Sequence, residues 1–203
     1  MKKLDTIIFD LGGVLIDWNP AYVFREIFDD AEEMCYFFEH ICTHDWNIQQ
    51  DAGRPLAEAT EEKVAEFPAY EAQIRAYYGR WREMLGGAIT ETVDILTALR
   101  QQDKYRLLAL TNWSHETFPT ALELFDFLHW FEGIVVSGKE RLIKPDPRIY
   151  QVLLDRYNVT PQRALFIDDN VKNVAGAEAV GLHAVHFQSP QQLHDIFLKY
   201  DIL

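Results

Sequence analysis

Short apolar runs alternate with amphipathic stretches along most of the chain, and this alternation constrains the fold more than any other feature. Runs rich in β-branched and aromatic residues are typical of buried strands, and five occur, at 6–9, 106–110, 133–136, 164–167 and 184–187. Stretches with apolar residues at helical spacing lie between them, at 91–101, 119–128, 147–157 and 170–180. Strands that alternate with helices predict an α/β fold with a doubly wound parallel sheet.

Residues 18–87 interrupt this alternation. The stretch is mostly helical in pattern, with candidate helices at 20–28, 31–41, 56–67 and 70–85. A connection of this length exceeds what packing a sheet requires. We therefore predict a helical subdomain at 18–87, inserted into a core of residues 1–17 and 88–203, with the chain rejoining the core near Gly86-Gly87.

The composition restricts the partners and the compartment. Of 203 residues, 48% are hydrophobic, enough for a sizeable core, and the net charge of -13 argues against nucleic acid or an anionic membrane as the main partner. We find no signal-peptide region and no apolar run near the roughly 20 residues of a membrane span, so we expect a cytoplasmic protein. Cys35 and Cys42 are expected to be reduced core residues. The sequence does not indicate an oligomeric state.

The first predicted strand ends in a carboxylate, Asp10, which is followed by Leu11, Gly12 and Gly13. Open α/β sheets bind ligands beyond the carboxyl ends of their strands. A carboxylate at such a position, beside a flexible glycine turn, is suited to act as a nucleophile or as a metal ligand. Taken alone, Asp10 also fits a simpler reading, that of a polar residue closing a strand before a turn.

Three later segments carry matching chemistry, each close to a predicted strand end. Thr111-Asn112 offers a hydroxyl and backbone N–H groups that suit phosphate oxygens. Lys144 is a fixed cation in a loop framed by prolines. Asp168-Asp169 ends an otherwise apolar strand, and two adjacent carboxylates suggest a hard cation such as Mg²⁺. Together with the first carboxylate, these groups form a set suited to phosphoryl transfer.

In this order and spacing, the segments resemble the four motifs of the haloacid dehalogenase (HAD) superfamily of hydrolases, over essentially the full length of the chain. The motifs stand here as Asp10-Leu11-Gly12-Gly13-Val14, Thr111-Asn112, Lys144-Pro145 and Asp168-Asp169. The helical insertion between the first two resembles the subgroup with an α-helical C1 cap. The resemblance implies a Rossmann-like core with an inserted cap, and a Mg²⁺-dependent phosphatase that acts on a small phosphorylated metabolite, such as a sugar phosphate.

The resemblance also implies a role for each motif residue. Asp10 matches the nucleophile that becomes an aspartyl-phosphate. Thr111 and the Asn112 backbone match the groups that hold the phosphoryl oxygens, and Lys144 matches the cation that neutralises charge on the nucleophile and the phosphate. The Mg²⁺ ligands are matched by Asp10, the Gly12 carbonyl and one or both of Asp168 and Asp169, with Asn173 supporting the metal loop from the following helix.

One position departs from the family pattern. Phosphatases of this superfamily usually place a second aspartate two residues after the nucleophile, where it protonates the leaving group and then activates water. That position is Gly12 in this chain. Some bacterial sugar-phosphate phosphatases of the family also lack the second aspartate. General acid–base help contributes about 10²–10⁴-fold, so turnover should be slow, the leaving group should need little protonation, or another residue should substitute. The open candidates are Asp17, His44, Asp45 and Asp51.

Residues 44–54 form a polar stretch between two predicted helices of the insertion. In relatives with this type of cap, the corresponding loop reaches over the site and reads the substrate. On that resemblance, we expect Trp46 to cover the site and Arg54 to contact an anionic group. The alternative is a plain helix connection with Trp46 in the core of the cap.

Two other functions stay open. A 2-haloacid dehalogenase directs the same nucleophile at carbon and needs no proton for the halide, so Gly12 does not count against it. Dehalogenases of this fold use no metal, and the Asp168-Asp169 pair therefore favours the phosphatase. A weakly active or inactive binding module is supported only by Gly12, and the retained Asp10 and Lys144 count against it.

Overall fold

A five-stranded parallel sheet forms the centre of the computed structural model, which describes residues 4–203. In chain order the strands are β1 (Thr6–Phe9), β2 (Ile16–Trp18), β3 (Leu85–Ala88), β4 (Arg106–Thr111), β5 (Gly133–Val136), β6 (Ala164–Asp168) and β7 (His183–His186). The sheet has the order β5-β4-β1-β6-β7. The chain winds outward from β1 in one direction and then in the other, which confirms the predicted doubly wound fold and places the crevice of the sheet beside β1.

The helices surround this sheet and form the insertion. In chain order they are α1 (Ala21–Ile27), α2 (Ala31–Tyr36), α3 (His44–Asp51), α4 (Leu56–Glu66), α5 (Glu71–Gly79), α6 (Thr90–Gln102), α7 (Phe118–Leu124), α8 (Ser137–Glu140), α9 (Pro147–Arg156), α10 (Val171–Ala179) and α11 (Pro190–Lys199). Across residues 4–203, none of the helices is long and apolar enough to cross a membrane.

Helices cover both faces of the sheet. Successive strand residues point to opposite faces, so each strand contributes to the apolar clusters on both faces. On one face, Ile8 belongs to an apolar cluster with residues of α9 and α10. On the other face, Ile7 and Phe9 belong to a larger cluster that includes residues of α6 and α11 and extends into the insertion. The near-continuous apolar sequence of β1 is therefore the pattern expected of a strand that is buried on both faces.

Helix α10 begins and ends as the sequence predicts, and its position matters because it follows β6 at the edge of the site. The Asn170 side chain accepts a 2.9 Å hydrogen bond from the Lys172 backbone N–H, which caps the first turn. Gly181 follows the helix with a φ of 88°, a left-handed conformation that favours glycine at this point.

A short antiparallel ribbon of β2 and β3 joins the insertion to the core. The sequence predicts a helix at 70–85 and a linker near Gly86-Gly87, but the structure has α5, a short 3₁₀ turn and then strand β3. A Cβ on Gly86 would lie 2.3 Å from Oδ2 of Asp17, so the glycine allows β2 to approach. The pairing partner is remote in sequence, which explains why local pattern misses this strand.

The polar stretch predicted as a loop contains a helix, α3, and that expectation is wrong. Thr43 caps it by accepting a 3.0 Å hydrogen bond from the Trp46 backbone N–H. Trp46, Asn47 and Gln50 are buried on one side of the helix, so tertiary packing stabilises a segment with little apolar periodicity.

The cysteines are unpaired, and only one of them is a core residue. Cys42 is buried, whereas Cys35 is exposed on α2, contrary to the expectation for both. A π-helical turn at Phe37–Ile41 separates α2 from Cys42. This turn breaks the regular helical period, so the two thiols do not share a face of one helix.

Candidate active site

Strand register brings the first and last motifs together at one edge of the sheet. Phe9 of β1 pairs with Ile167 of β6, and the Asp10 backbone N–H donates a 2.8 Å hydrogen bond to the Ile167 carbonyl. Asp10 therefore follows β1 directly beside Asp168, the last residue of β6. Thr111 ends β4 on the other side of β1 and is buried. The carboxyl ends of three neighbouring strands thus form the floor of the site.

Lys144 binds both carboxylates of this floor. Its ammonium nitrogen lies 2.8 Å from Oδ1 of Asp10 and 2.7 Å from Oδ2 of Asp168, and it donates a 3.0 Å hydrogen bond to the Leu110 carbonyl. The Asn112 side chain fixes the Lys144 backbone, accepting from its N–H at 2.8 Å and donating to its carbonyl at 3.1 Å. The second and third motifs are therefore joined by hydrogen bonds.

Burial and charge act in opposite directions on these ionisable groups. Burial raises the pKa of Asp10 to about 7, although Lys144 lowers it in part. Burial lowers the pKa of Lys144, but the nearby charges of Asp10 and Asp168 outweigh this, so the pKa is raised overall. Asp169 is exposed as a residue, but its carboxyl is partly desolvated, which raises its pKa, and the charge of Asp168 adds to the effect. One lysine faces three carboxylates, and the excess negative charge is what a bound cation would neutralise.

The three carboxylates fit a divalent cation. Asp10, Asp168 and Asp169 each present an oxygen, and these atoms lie within 4.8 Å of one another. Oxygen donors are what Mg²⁺ prefers. Asp168 is already held on both oxygens, by the Asn170 backbone N–H at 2.8 Å and by Asn173 Nδ2 at 3.0 and 3.2 Å. Asp169 is exposed and is the carboxylate of the pair that faces the glycine turn.

Gly13 shapes this cluster, and sequence reasoning missed its role. Its φ is 73°, and a Cβ on Gly13 would lie 2.4 Å from Oδ2 of Asp169. Gly12 differs, because a Cβ there would meet nothing within 4 Å. Of the two adjacent glycines in the motif, only Gly13 is thus required by sterics, and the open space at Gly12 would accept a side chain.

A cleft of about 480 Å³ lies above the strand ends, between the core and the insertion. Its floor includes Asp10, Gly12, Thr111, Asn112, Lys144 and Asp169. The insertion and its ribbon contribute Trp18, His44, Asp45, Asn47, Ile48, Asp51 and Trp81. A larger cavity of about 850 Å³ lies beside β7 and α11 at the edge of the sheet. The strand-end residues line the smaller of these two cavities.

The two residues that the sequence assigns to substrate contact from the insertion lie elsewhere. Trp46 is 5% exposed and packs against Tyr77 and Tyr78, with ring centroids 5.2 and 5.4 Å apart. The Arg54 guanidinium pairs with Glu58 at 3.3 Å and with Glu62 on α4. The structure therefore places Trp46 in the core of the cap, and the Arg54 charge is neutralised within the cap.

Asp51 and Asp17, two of the candidates for the missing proton donor, have different surroundings. Burial raises the pKa of the Asp51 carboxyl to about 7, and the Ser114 backbone N–H lowers it in part. The Asp17 carboxylate accepts a hydrogen bond from the Tyr22 hydroxyl at the ribbon. His44 and Asp45 are exposed on the first turn of α3.

Aromatic side chains from the insertion and the core form one wall of the cleft. The ring centroids of Trp18 and Trp81 lie 5.4 Å apart, and those of Trp81 and Trp113 lie 6.4 Å apart. The indole N–H groups of Trp18 and Trp81 are buried and have no acceptor among the described residues. Sequence reasoning missed this wall, because its members are widely separated along the chain.

The family model of the haloacid dehalogenase-like hydrolases matches residues 4–181. This match spans most of the chain, and with the fold and the strand-end residues above it shows that the chain belongs to the haloacid dehalogenase-like hydrolases. It is therefore a hydrolase of this family, and phosphatases are among its relatives.

Two curated relatives and one solved structure illustrate the likeness. The phosphorylated carbohydrates phosphatase of Thermotoga maritima is 23% identical over 188 residues, which cover 90% of this chain and 84% of that protein. The (S)-2-haloacid dehalogenase 1 of a Pseudomonas species is 29% identical over 206 residues, covering 91% of this chain and 85% of that protein. A HAD family enzyme from Bacteroides thetaiotaomicron, in its magnesium complex, has a TM-score of 0.75 at 22% identity, with 97% of this chain and 99% of that chain covered.

Proposed function

We propose that this protein is a Mg²⁺-dependent phosphatase that hydrolyses a small phosphorylated metabolite through an aspartyl-phosphate on Asp10. The observation that carries this proposal is the position of Lys144 Nζ, 2.8 Å from Asp10 and 2.7 Å from Asp168, in a cluster whose third carboxylate is Asp169. A buried carboxylate must stay ionised to attack phosphorus. The lysine favours the ionised form and leaves the second oxygen of Asp10 for the reaction.

We propose the roles of Asp10 and Lys144 from this geometry, and those of Thr111 and Asn112 from their match to the family motifs. Oδ1 of Asp10 accepts hydrogen bonds from Lys144 and from the Leu11 backbone N–H at 2.7 Å, so Oδ2 is the attacking atom. The Thr111 hydroxyl and the Asn112 backbone bind the phosphoryl oxygens at the end of β4. The Lys144 ammonium also neutralises charge that develops on the transferred group.

Mg²⁺ would be held by Asp10, the Gly12 carbonyl and one or both of Asp168 and Asp169, whose oxygens lie together with those of Asp10. Asp168 also positions Lys144, whose ammonium donates a 2.7 Å hydrogen bond to its Oδ2. When bound, the ion would neutralise phosphate charge that the acidic protein surface would otherwise repel.

The substrate is proposed to be a small phosphate ester, such as a sugar phosphate. A cleft of about 480 Å³ accommodates a molecule of this size. Trp18, Trp81 and Trp113 line the cleft and give it an aromatic wall, against which the apolar side of a sugar ring would pack. The named activity of the Thermotoga relative, on phosphorylated carbohydrates, is in line with this choice.

A 2-haloacid dehalogenase is the second candidate, favoured by the Pseudomonas relative and by the missing side chain at Gly12. The cluster of three carboxylates supports the phosphatase over it, because displacement of a halide needs no cation at this point. The indifference of a dehalogenase to chelation separates the two functions in solution.

The test is the hydrolysis of p-nitrophenyl phosphate by the purified protein, with Mg²⁺ and with EDTA, alongside Asp10→Asn. The p-nitrophenolate leaving group of this ester needs little protonation, so the missing proton donor at Gly12 does not hide activity. We expect turnover that requires Mg²⁺ and is lost in the variant. No phosphate release from this ester or from a panel of sugar phosphates, together with halide release from a 2-haloacid in EDTA, would overturn the proposal in favour of the dehalogenase.

A further inference from the structure

The cap contributes one buried carboxyl to the wall of the catalytic cleft. Asp51, the last residue of α3, is 9% exposed and lines the cleft together with the strand-end residues. Its Oδ2 accepts a 3.3 Å hydrogen bond from Asn47 Nδ2, and its carboxyl also faces the Ser114 backbone N–H. Ser114 lies two residues after Asn112. The carboxyl is therefore beside the loop that we propose binds the phosphate.

The position of Asp51 is fixed against the core rather than by the cap alone. The Ser137 hydroxyl donates a 2.6 Å hydrogen bond to the Asp51 carbonyl. The same hydroxyl accepts a 2.8 Å hydrogen bond from the Trp113 backbone N–H, in the segment that follows β4. Close by, a Cβ on Gly53 would lie 2.8 Å from the Gly138 carbonyl oxygen. This close contact between cap and core holds the carboxyl at a defined place in the cleft.

We propose that Asp51 is the general acid of the reaction and supplies from the cap the proton that Gly12 cannot supply. This proposal rests on the phosphatase function proposed above. It assigns a catalytic role to a residue outside the four motifs, because the carboxyl would contact the oxygen of the leaving group.

The proton and the electrons balance in both half-reactions. In the first, Oδ2 of Asp10 forms a bond to phosphorus, the bond between phosphorus and the ester oxygen breaks, and that oxygen takes the proton of the Asp51 carboxylic acid. The alcohol leaves and Asp51 remains as a carboxylate. In the second, this carboxylate removes a proton from water as the water oxygen attacks phosphorus, which releases Asp10 and inorganic phosphate and restores the acid.

The other candidates are less suited by position. Asp17 accepts a hydrogen bond from the Tyr22 hydroxyl at the ribbon, where its carboxylate lies against Gly86 of β3. His44 and Asp45 line the mouth of the cleft but are exposed, so water can take or supply the proton in their place. Among the four candidates, only Asp51 is both buried and part of the cleft wall.

The surroundings of Asp51 keep its carboxyl protonated up to about neutral pH. Burial raises the pKa of its carboxyl to about 7, with the Ser114 N–H acting in the opposite direction. The ionisable groups of the cap that interact with Asp51 are the phenols of Tyr77 and Tyr78. Burial raises the pKa of both phenols, so they are neutral. From the core, its neighbour is a backbone N–H. A general acid is most effective when its pKa lies near the working pH.

The test compares an alkyl with an aryl phosphate ester in Asp51→Asn. The probes are p-nitrophenyl phosphate and the best substrate among glycerol phosphate, ribose phosphate and glucose phosphate. An alkoxide needs a proton to leave, whereas p-nitrophenolate does not. We expect the ratio of alkyl to aryl kcat/KM to fall by about 10²-fold or more. Asp51→Glu keeps the acid and should retain part of the ratio.

Asp29→Asn is the matched control, because it makes the same change in the cap at an exposed position that does not line the cleft. We expect it to keep the wild-type ratio of alkyl to aryl hydrolysis. A ratio preserved in Asp51→Asn would overturn the assignment. Wild-type protein that hydrolyses the aryl ester but none of the alkyl esters would overturn it as well. Inactivity towards every ester would instead reject the phosphatase function itself.

Two further readouts separate an acid from a merely structural residue. In the wild type, kcat/KM for the alkyl ester should fall as the pH rises above about 7, where Asp51 loses its proton, and this limb should be absent in Asp51→Asn. Gly12→Asp, at a position where a Cβ meets nothing within 4 Å, should restore alkyl hydrolysis in the Asp51→Asn background by at least about tenfold. The proposal would be contradicted if the double variant hydrolysed the alkyl ester no faster than Asp51→Asn, and if Asp51→Asn kept the wild-type loss of kcat/KM at high pH.

Discussion

The ammonium nitrogen of Lys144 lies 2.8 Å from Oδ1 of Asp10, and both side chains are almost completely buried. The same nitrogen lies 2.7 Å from Asp168, so one cation serves two carboxylates from neighbouring strands. The attraction within such a buried group is largely offset by the cost of removing its charges from water. The arrangement is therefore better explained by chemistry at Asp10 than by a gain in stability.

Lys144→Met should destabilise the protein strongly, because it leaves Asp10 and Asp168 buried without their counter-ion. We expect a loss of about 3–5 kcal/mol in the free energy of unfolding at pH 8. The loss should be smaller at acidic pH, where the carboxylates take up protons. Urea unfolding measures the change, and Lys139→Met, which removes an exposed lysine on α8, should stay within about 0.5 kcal/mol of wild type. Equal stability of the two variants would contradict the expectation.

Gly13→Ala should weaken the proposed metal site. The residue has a φ of 73°, and its new Cβ would lie 2.4 Å from Oδ2 of Asp169, so the carboxylate must move. We expect the Mg²⁺ concentration for half-maximal phosphatase activity to rise by about 10–100-fold, the range found when a supporting contact to a metal ligand is lost. Gly79→Ala is the control, since a Cβ there meets nothing within 4 Å. An unchanged Mg²⁺ requirement in Gly13→Ala would argue against Asp169 as a ligand.

Asp51→Asn should change the pH dependence of stability in a defined direction. The pKa of Asp51 rises from 3.8 to about 7 on folding, so the native state binds this proton more tightly than the unfolded state. The stabilisation from protonated Asp51 is full below pH 3.8 and is lost as the pH rises through 7. Relative to the variant, the wild type should therefore lose up to about 4 kcal/mol between pH 4 and pH 8. Parallel curves for the two proteins in denaturant titrations would refute the burial effect.

The core and the floor of the site could be predicted from the sequence because their signals are local. Strands β1, β4 and β6 are largely apolar runs, and Asp10, Thr111 and Asp168 stand at or directly after their ends. In a parallel sheet, strand ends meet at one edge whatever the details of the loops. Composition and periodicity therefore suffice to place these residues near one another, although Lys144, which comes from a loop, is placed by the hydrogen bonds of Asn112.

The insertion could not be predicted in the same detail, because its structure depends on contacts between distant segments. Helix α3 has few apolar residues, and its buried face includes polar side chains such as Asn47 and Gln50. Gln50 donates to the Tyr78 hydroxyl at 3.1 Å, and Tyr78 donates to Asn47 Oδ1 at 2.9 Å, so a polar network replaces the usual apolar stripe. The resemblance led us to expect Trp46 over the site, with the core of the cap as the alternative, and its ring completes the aromatic core of the cap.

The most direct test of the central claim is to trap the covalent intermediate on Asp10. Wild-type protein turning over excess p-nitrophenyl phosphate with Mg²⁺ is quenched in acid, digested and examined by mass spectrometry. We expect the peptide containing Asp10 to gain one phosphoryl group, hydroxylamine to remove it, and Asp10→Asn to show none. Steady release of phosphate with an unmodified Asp10 peptide, or with the phosphoryl group on another residue, would rule out Asp10 as the nucleophile.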